Sequence, residues 1–202
     1  MKLYFSWHSR AVGVRWLLEE LSVNYEIEWV DLTKAQQRSE NFLRINPHGH
    51  VPVLVDRGQI LLESVAILAY LADSFIEKGL APPTGSAQRG LYYQWLFYST
   101  ATLERHVKQL VLQTIKLPAG ERSESAASTS RKELECCAQY LESCLKDRPF
   151  IMGVQFSAAD IALSHWMKTM RDELGLLGQC PHALAYLDSI LSRPALLRAS
   201  MP

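Results

Sequence analysis

Three short segments hold residues whose types and spacing suit the capture of a small peptide and the activation of its thiol. The first is Asn46-Pro47-His48-Gly49-His50-Val51-Pro52-Val53-Leu54. A proline at the start of a strand cannot donate to the ladder. With its peptide bond cis, Pro52 bends the chain sharply and turns the preceding backbone outward. The Val51 N–H and C=O can then pair, strand-fashion, with a bound peptide, and His50 faces the same ligand. The second segment is Glu63-Ser64. Ser64 reads as a helix N-cap, and the free N–H groups and partial positive charge of a helix start suit a carboxylate. Glu63 beside it can hold an ammonium group, so one amino-acid head group satisfies both. The third is the loop from Ser6 to Arg10, between a strand end and a helix start. A hydroxyl there can donate to a thiolate, and that bond, with the helix dipole, favours the charged sulfur. Ser9 sits at the N-cap and equally serves as a plain cap; Ser6 at the strand end is the alternative. Taken alone, Pro52 fits an ordinary edge strand and Glu63-Ser64 an ordinary cap. The combination favours a site.

Alternating strand and helix patterns must position these segments. Leu3-Tyr4-Phe5 is a buried strand pattern. Val12, Val14, Trp16, Leu17, Leu18 and Leu21 follow at helical spacing, and a second strand alternates over residues 26–31. Ser39 opens a short helix. Strands are predicted at Val51-Pro52-Val53-Leu54-Val55 and Ile60-Leu61-Leu62, joined by the turn Asp56-Arg57-Gly58-Gln59. A helix follows with Val65, Ile67, Leu68 and Leu71 on its apolar face. The order β-α-β-α-β-β-α combines a parallel βαβ unit with an antiparallel hairpin. Two prolines and two glycines over residues 77–85 stop any helix. Beyond them every pattern is helical: 88–114, 124–146, 158–174, 182–192, and a last turn near Pro194. The expected organisation is an α/β domain at 1–77, a linker at 78–85, and an all-helical domain at 86–202.

The bulk composition narrows the function classes. Of 202 residues, 48% are hydrophobic, and 21 Lys plus Arg balance 21 Asp plus Glu. Zero net charge supplies no global field toward nucleic acid or an anionic membrane. No apolar run reaches the length of a membrane span, and the N-terminus lacks a signal-peptide pattern. Cys136, Cys137, Cys144 and Cys180 match neither zinc spacing nor a disulfide framework. The expectation is a cytoplasmic protein without metal, nucleic acid or membrane partners.

Together the three segments resemble the cytosolic glutathione transferase family. The residues that carry the resemblance are Ser9-Arg10 followed by Trp16-Leu17-Leu18-Glu19-Glu20-Leu21, then Asn46-Pro47-x-Gly49-x-Val51-Pro52-x-Leu54, then Glu63-Ser64-x-Ala66-Ile67. Gly153, Ser157, Ala159 and Asp160 match a further motif, in which Ser157-x-x-Asp160 is a capping box with Asp in place of Glu. The likeness spans essentially the whole chain. It implies a thioredoxin-like first domain, an all-α second domain, and glutathione as co-substrate. In such a protein His50, where Lys or Gln is more usual, contacts the glycyl end and makes binding more pH-dependent than Lys would. Val51 holds the cysteinyl backbone beside a cis Pro52, and Glu63 and Ser64 hold the γ-glutamyl head.

With no Cys at the start of the first helix, the chain looks like a serine-type, theta-like, bacterial-type member. Two registers are open. Ser6-x-x-Ser9-Arg10 matches a theta-type pattern with Ser6 as the hydroxyl. Counting back from the helix end reaches His8 or Ser9 and favours Ser9. Gly13 stands where related sequences often carry Arg, with Arg10 as the nearby substitute. The implied reaction is attack of a glutathione thiolate on a small, apolar electrophile, or reduction of a peroxide. The alternative is a binding or regulatory module on the same fold. The electrophile pocket is expected from Trp7, His8, Tyr98, Glu104, His106 and Trp166. The family habit implies a homodimer, for which Tyr92, Trp95 and Tyr98 are candidates alongside core packing.

Overall fold

The structure, a computed structural model, describes residues 1–201. By internal contacts the described residues divide into 1–81 with 193–201, and 82–192.

The first unit follows the order read from the sequence. It runs β1 (Lys2–Phe5), α1 (Ala11–Leu21), β2 (Glu26–Trp29), α2 (Glu40–Ile45), β3 (Val53–Asp56), β4 (Gln59–Leu61) and α3 (Ser64–Ser74). The sheet order is β2-β1-β3-β4, with β1 parallel to β2 and the other pairs antiparallel. Leu3 sits opposite both Ile27 and Leu54 in register. Leu3, Phe5, Val53 and Leu54 are fully buried, as are Val14, Leu17, Leu18 and Leu21 of α1. This is the mixed, helix-covered sheet that the alternation of patterns predicts, in the thioredoxin-like arrangement that the resemblance implies. The hairpin turn needs positive φ at both central residues, and Arg57 (φ 48°) and Gly58 (φ 77°) supply it.

Two local expectations change at the helix starts. Ser64 is the first residue of α3 rather than its cap. The cap position belongs to Glu63, held at φ 67° and ψ 112°. A non-glycine residue there is strained, and such strain collects where surrounding structure has a use for it. Ser39, by contrast, caps α2 as predicted, accepting from the Phe42 N–H at 3.3 Å.

The second unit is helical: α4 (Gln88–Phe97), α5 (Arg105–Val111), α6 (Glu124–Leu145), α7 (Ala158–Asp172) and α8 (Pro181–Leu191). The long helix predicted over 88–114 is interrupted by wider, π-type turns at Tyr98–Glu104 and Leu112–Lys116. Two side-chain hydroxyls bond main-chain carbonyls at these stretches. Ser99 Oγ donates to the Leu96 carbonyl at 2.7 Å and Thr114 Oγ1 to the Leu110 carbonyl at 2.7 Å. These bonds compete for carbonyls of the ordinary helical ladder. At the start of α7, buried Asp160 accepts from the N–H groups of Ile151 and Ser157 at 2.8 Å each, from Ser157 Oγ at 3.0 Å and from Tyr186 Oη at 2.9 Å. The capping box is therefore real, and it also ties down the preceding loop and α8. Cys137 and Cys180 are buried, and burial pushes both thiols up, which suits packing rather than chemistry.

The last helix, α9 (Pro194–Ala199), packs on α1. Residues 193–201, read from the sequence as the tail of the helical half, thus cluster with the α/β unit. No helix among the described residues is long and apolar enough to cross a membrane.

Candidate active site

The first unit brings its three segments to one polar cleft, lined by Arg10, Asn46, His48, His50, Val51, Pro52, Leu62, Glu63 and Ser64. Six of the residues selected from the sequence converge here: Arg10, His50, Val51, Pro52, Glu63 and Ser64. The Val51-Pro52 bond is cis. The β1–β3 ladder ends at the Tyr4–Val53 pair, two residues short of Val51, so the Val51 main chain lies beyond it.

The loop that carries His48 and His50 is fixed from inside. Asn46 is buried, its Nδ2 donates to the His50 carbonyl at 2.7 Å, and its Oδ1 accepts from the His48 N–H at 3.1 Å. From outside, Arg38 Nη1 donates to the His48 carbonyl at 3.2 Å. Gly49 lies at φ 62°, and a Cβ there would stand 2.8 Å from both the Arg38 guanidinium and the Gln37 carbonyl. Asn46 and His48 are the lining residues that the sequence reading left without a role. A buried amide two residues before one histidine and four before another is the signal that marks them.

The loop from Ser6 to Arg10 is shaped by its own hydroxyl. Ser9 Oγ donates to the Ser6 carbonyl at 2.6 Å and accepts from the Ala11 N–H at 3.2 Å. Ser9 therefore satisfies the first N–H of α1, whose cap position is Arg10 rather than Ser9, and neither serine lines the cleft; Arg10 is the loop residue that does. His8 is exposed at φ 56°. Trp7 packs against Phe5 at 4.8 Å and Trp29 at 5.4 Å between ring centroids, so it belongs to an aromatic cluster of the α/β unit.

The remaining residues selected for the electrophile pocket lie on different faces of the helical unit. Tyr98 packs on Trp95 and Tyr140, at 5.5 and 5.7 Å. Burial, then a hydrogen bond with Cys137, raises its hydroxyl well above the usual phenol range. Glu104 pairs with Lys108, whose ammonium lies 5.9 Å from the Trp166 ring centre. His106 lines a separate groove of about 350 Å³ with Arg105, Gln109, Ser125, Ala126, Thr129 and Ser130. Tyr92 and Trp95 are buried within the unit, as core packing requires. Among the described residues no group of three or more His, Cys, Asp or Glu is gathered as a metal site would need.

The N-terminal domain of glutathione S-transferase matches residues 1–73, and the C-terminal domain of glutathione S-transferase matches residues 106–198. The chain is 30% identical to glutathione S-transferase GstA of Escherichia coli O157:H7, over 96% of this chain and 94% of that protein. The chain belongs to the glutathione S-transferase family. It is also 29% identical to the disulfide-bond oxidoreductase YfcG of Escherichia coli strain K12, over 96% of this chain and 91% of that protein, and 29% identical to glutathione S-transferase 1 of Schizosaccharomyces pombe, over 88% of this chain and 85% of that protein. Among solved structures, a glutathione transferase family member from Pseudomonas fluorescens pf-5, with two glutathione molecules bound, superposes with a TM-score of 0.86 at 26% identity. The match covers 98% of this chain and 91% of that one.

Proposed function

We propose that this transferase binds glutathione in the cleft of the first unit and activates it as a thiolate for attack on a small electrophile. The observation that carries the reading is the convergence of His50, Val51, Pro52, Glu63, Ser64 and Arg10 on one cleft. Val51 offers its main chain to the cysteinyl residue, strand-fashion. Glu63 holds the γ-glutamyl ammonium, and Ser64, at the start of the eleven-residue α3, holds its carboxylate with the helix N–H groups. His50 meets the glycyl end.

The sulfur then lies at the start of α1. The Ser9 hydroxyl proton is engaged by the Ser6 carbonyl, so Ser9 holds the loop in shape. Arg10 and the N-terminal N–H groups of α1 supply the positive potential that favours the thiolate. The thiolate attacks, a sulfur–carbon bond forms, and the electrophile's leaving group departs with the electron pair of its own bond. No protein cysteine takes part, since the α/β unit holds none.

The test is calorimetric titration with glutathione alongside conjugation of an activated aryl halide. Saturable binding with measurable conjugation supports the reading. Binding without conjugation moves the reading to a glutathione-binding module. Glutathione-dependent disulfide reduction is the second reaction to assay, because a relative carries that activity in its name. We further propose a symmetric dimer. Leu91, Tyr93 and Phe97 of α4 and Tyr140 of α6 are exposed, which leaves apolar surface on two helices of the unit. Sedimentation equilibrium distinguishes a dimer from a monomer.

A further inference from the structure

Arg15 lies on α1, five residues beyond the cleft-lining Arg10, and only 7% of its surface is exposed. A buried guanidinium must find partners for its charge and its N–H groups. Its partners are unusual in kind. Nη1 donates to the main-chain carbonyl of Met201 at 2.7 Å, and Nε donates to Tyr25 Oη at 3.3 Å. Its carbon stands 5.4 Å from the ring centres of both Phe5 and Trp7. Trp7 in turn packs on Trp29. One side chain therefore touches the end of the chain, the start of β2 and the loop that precedes α1.

The end of the chain is held to α1 by a second layer of charge. Arg193 forks onto Glu20 through Nε and Nη2, at 2.6 and 2.9 Å, and Trp16 Nε1 donates to the same carboxylate at 2.9 Å. Arg198 Nε reaches Glu19 Oε2 at 2.9 Å, and Tyr25 Oη donates to Glu19 Oε1 at 2.6 Å. Burial works against the charge on Glu19, but the Tyr25 and Arg198 hydrogen bonds outweigh it and hold this carboxyl below the usual range. Glu19 thus balances Arg15 across the Tyr25 hydroxyl.

We propose that Arg15 is a positioning residue for the thiol-binding loop. It pins Trp7, and with Trp7 the path of residues 6–10, while the C-terminal tail holds Arg15 in place. This rests on the proposed activation of glutathione beside Arg10. Trp7 stands between Ser6 and Ser9, so its contacts with Arg15, Phe5 and Trp29 set where Ser9 and the Arg10 side chain fall. A lysine keeps the charge but lacks the broad planar guanidinium that reaches two rings while donating through separate nitrogens to Met201 and Tyr25. Misplacement of a reacting group by about 1 Å is enough to cost up to about 100-fold in rate.

The test compares wild type, Arg15→Lys, Trp7→Leu and Trp7→Phe in the full chain. Each is read by glutathione affinity, by the ultraviolet titration of bound thiolate, and by kcat and KM separately. Arg15→Lys is expected to keep glutathione affinity within about twofold. Its thiolate midpoint rises by about one pH unit, and kcat at neutral pH falls about tenfold. Trp7→Leu does the same, and Trp7→Phe, which keeps an aromatic face, restores most of the loss. If Arg15→Lys does not fold, the two Trp7 variants decide. Folded variants with lowered melting temperature but unchanged midpoint and kcat overturn the proposal and leave Arg15 a purely structural role. A wild-type protein that binds no glutathione, or binds it only as the thiol, fails the activation reading before any variant is compared.

Discussion

Asn46 donates its side-chain amide to the main-chain carbonyl of His50 at 2.7 Å, from a position that is buried. The bond closes the loop whose next two residues enter the cleft. The same side chain accepts from the His48 N–H, so one amide sets the height of both histidines. Asn46→Ala removes both bonds and leaves the part-buried His50 carbonyl and His48 N–H without these partners, for a cost of ~1–3 kcal/mol. Chemical denaturation should show that loss, together with weaker glutathione binding. Asn46→Asp keeps the acceptor but not the donor and should recover only part of it.

Gly49 gives a second handle on the same loop. Its φ of 62° strains any other residue, and an added Cβ would meet a guanidinium nitrogen and a backbone carbonyl at 2.8 Å. The Arg38 end can swing away, but the Gln37 carbonyl cannot. Gly49→Ala is expected to destabilise by ~1–2 kcal/mol from the left-handed backbone alone. It should also raise the glutathione KM more than it lowers kcat, measured by initial rates across glutathione concentration.

The fold was legible in the sequence wherever pattern and punctuation agreed. Alternation in Leu3-Tyr4-Phe5, the Arg57-Gly58 turn and the proline break after residue 77 needed only local chemistry. Three features depended on contacts that no local pattern carries. The placement of α9 on α1 comes from Arg193 and Arg198 reaching carboxylates more than 170 positions away, at 2.6 and 2.9 Å. The π-type turns at Tyr98–Glu104 and Leu112–Lys116 hold no proline or glycine to mark them. The strained Glu63 displaces the cap from Ser64 by one residue. In the cleft, Val51-Pro52 and Glu63-Ser64 were readable because their spacing is specific in combination. The choice between Ser6 and Ser9 was not, because a hydroxyl's aim depends on which acceptor lies nearest. Here that acceptor is the Ser6 carbonyl itself.

Asp160 should be the most costly single polar position in the helical unit. It is fully buried and takes four hydrogen bonds, from the loop at Ile151, from the cap at Ser157 and from Tyr186 of α8. Asp160→Ala leaves those donors without an acceptor and is expected to cost ~3–5 kcal/mol. The measurement is equilibrium unfolding in urea. Ser157→Ala, which removes one of the four, should cost ~1 kcal/mol.

Asp172 gives the acid response a defined sign. Hydrogen bonds from Arg171 and Lys168, each at 2.6 Å, hold its carboxyl down at about 2. A carboxyl whose folded value lies below its unfolded value adds stability above the unfolded value. That contribution is lost as pH falls from ~4 toward ~2. Denaturation midpoints through this range should fall less steeply for Asp172→Asn than for wild type, and the difference should shrink in high salt because the pair is partly exposed.

The central claim is that the cleft holds glutathione with its sulfur charged beside Arg10. The most direct measurement is the ultraviolet absorbance of the bound thiolate across neutral pH for wild type, Arg10→Gln, Ser9→Ala and Ser6→Ala. The account predicts a thiolate signal at neutrality in wild type, and in Arg10→Gln a midpoint raised by about one pH unit with glutathione still bound. Ser9→Ala should weaken the signal by loosening the loop, and Ser6→Ala should leave it, since Ser6 contributes its carbonyl. Bound glutathione without a thiolate signal in wild type would contradict the account, as would a signal that Arg10→Gln leaves intact and Ser9→Ala abolishes.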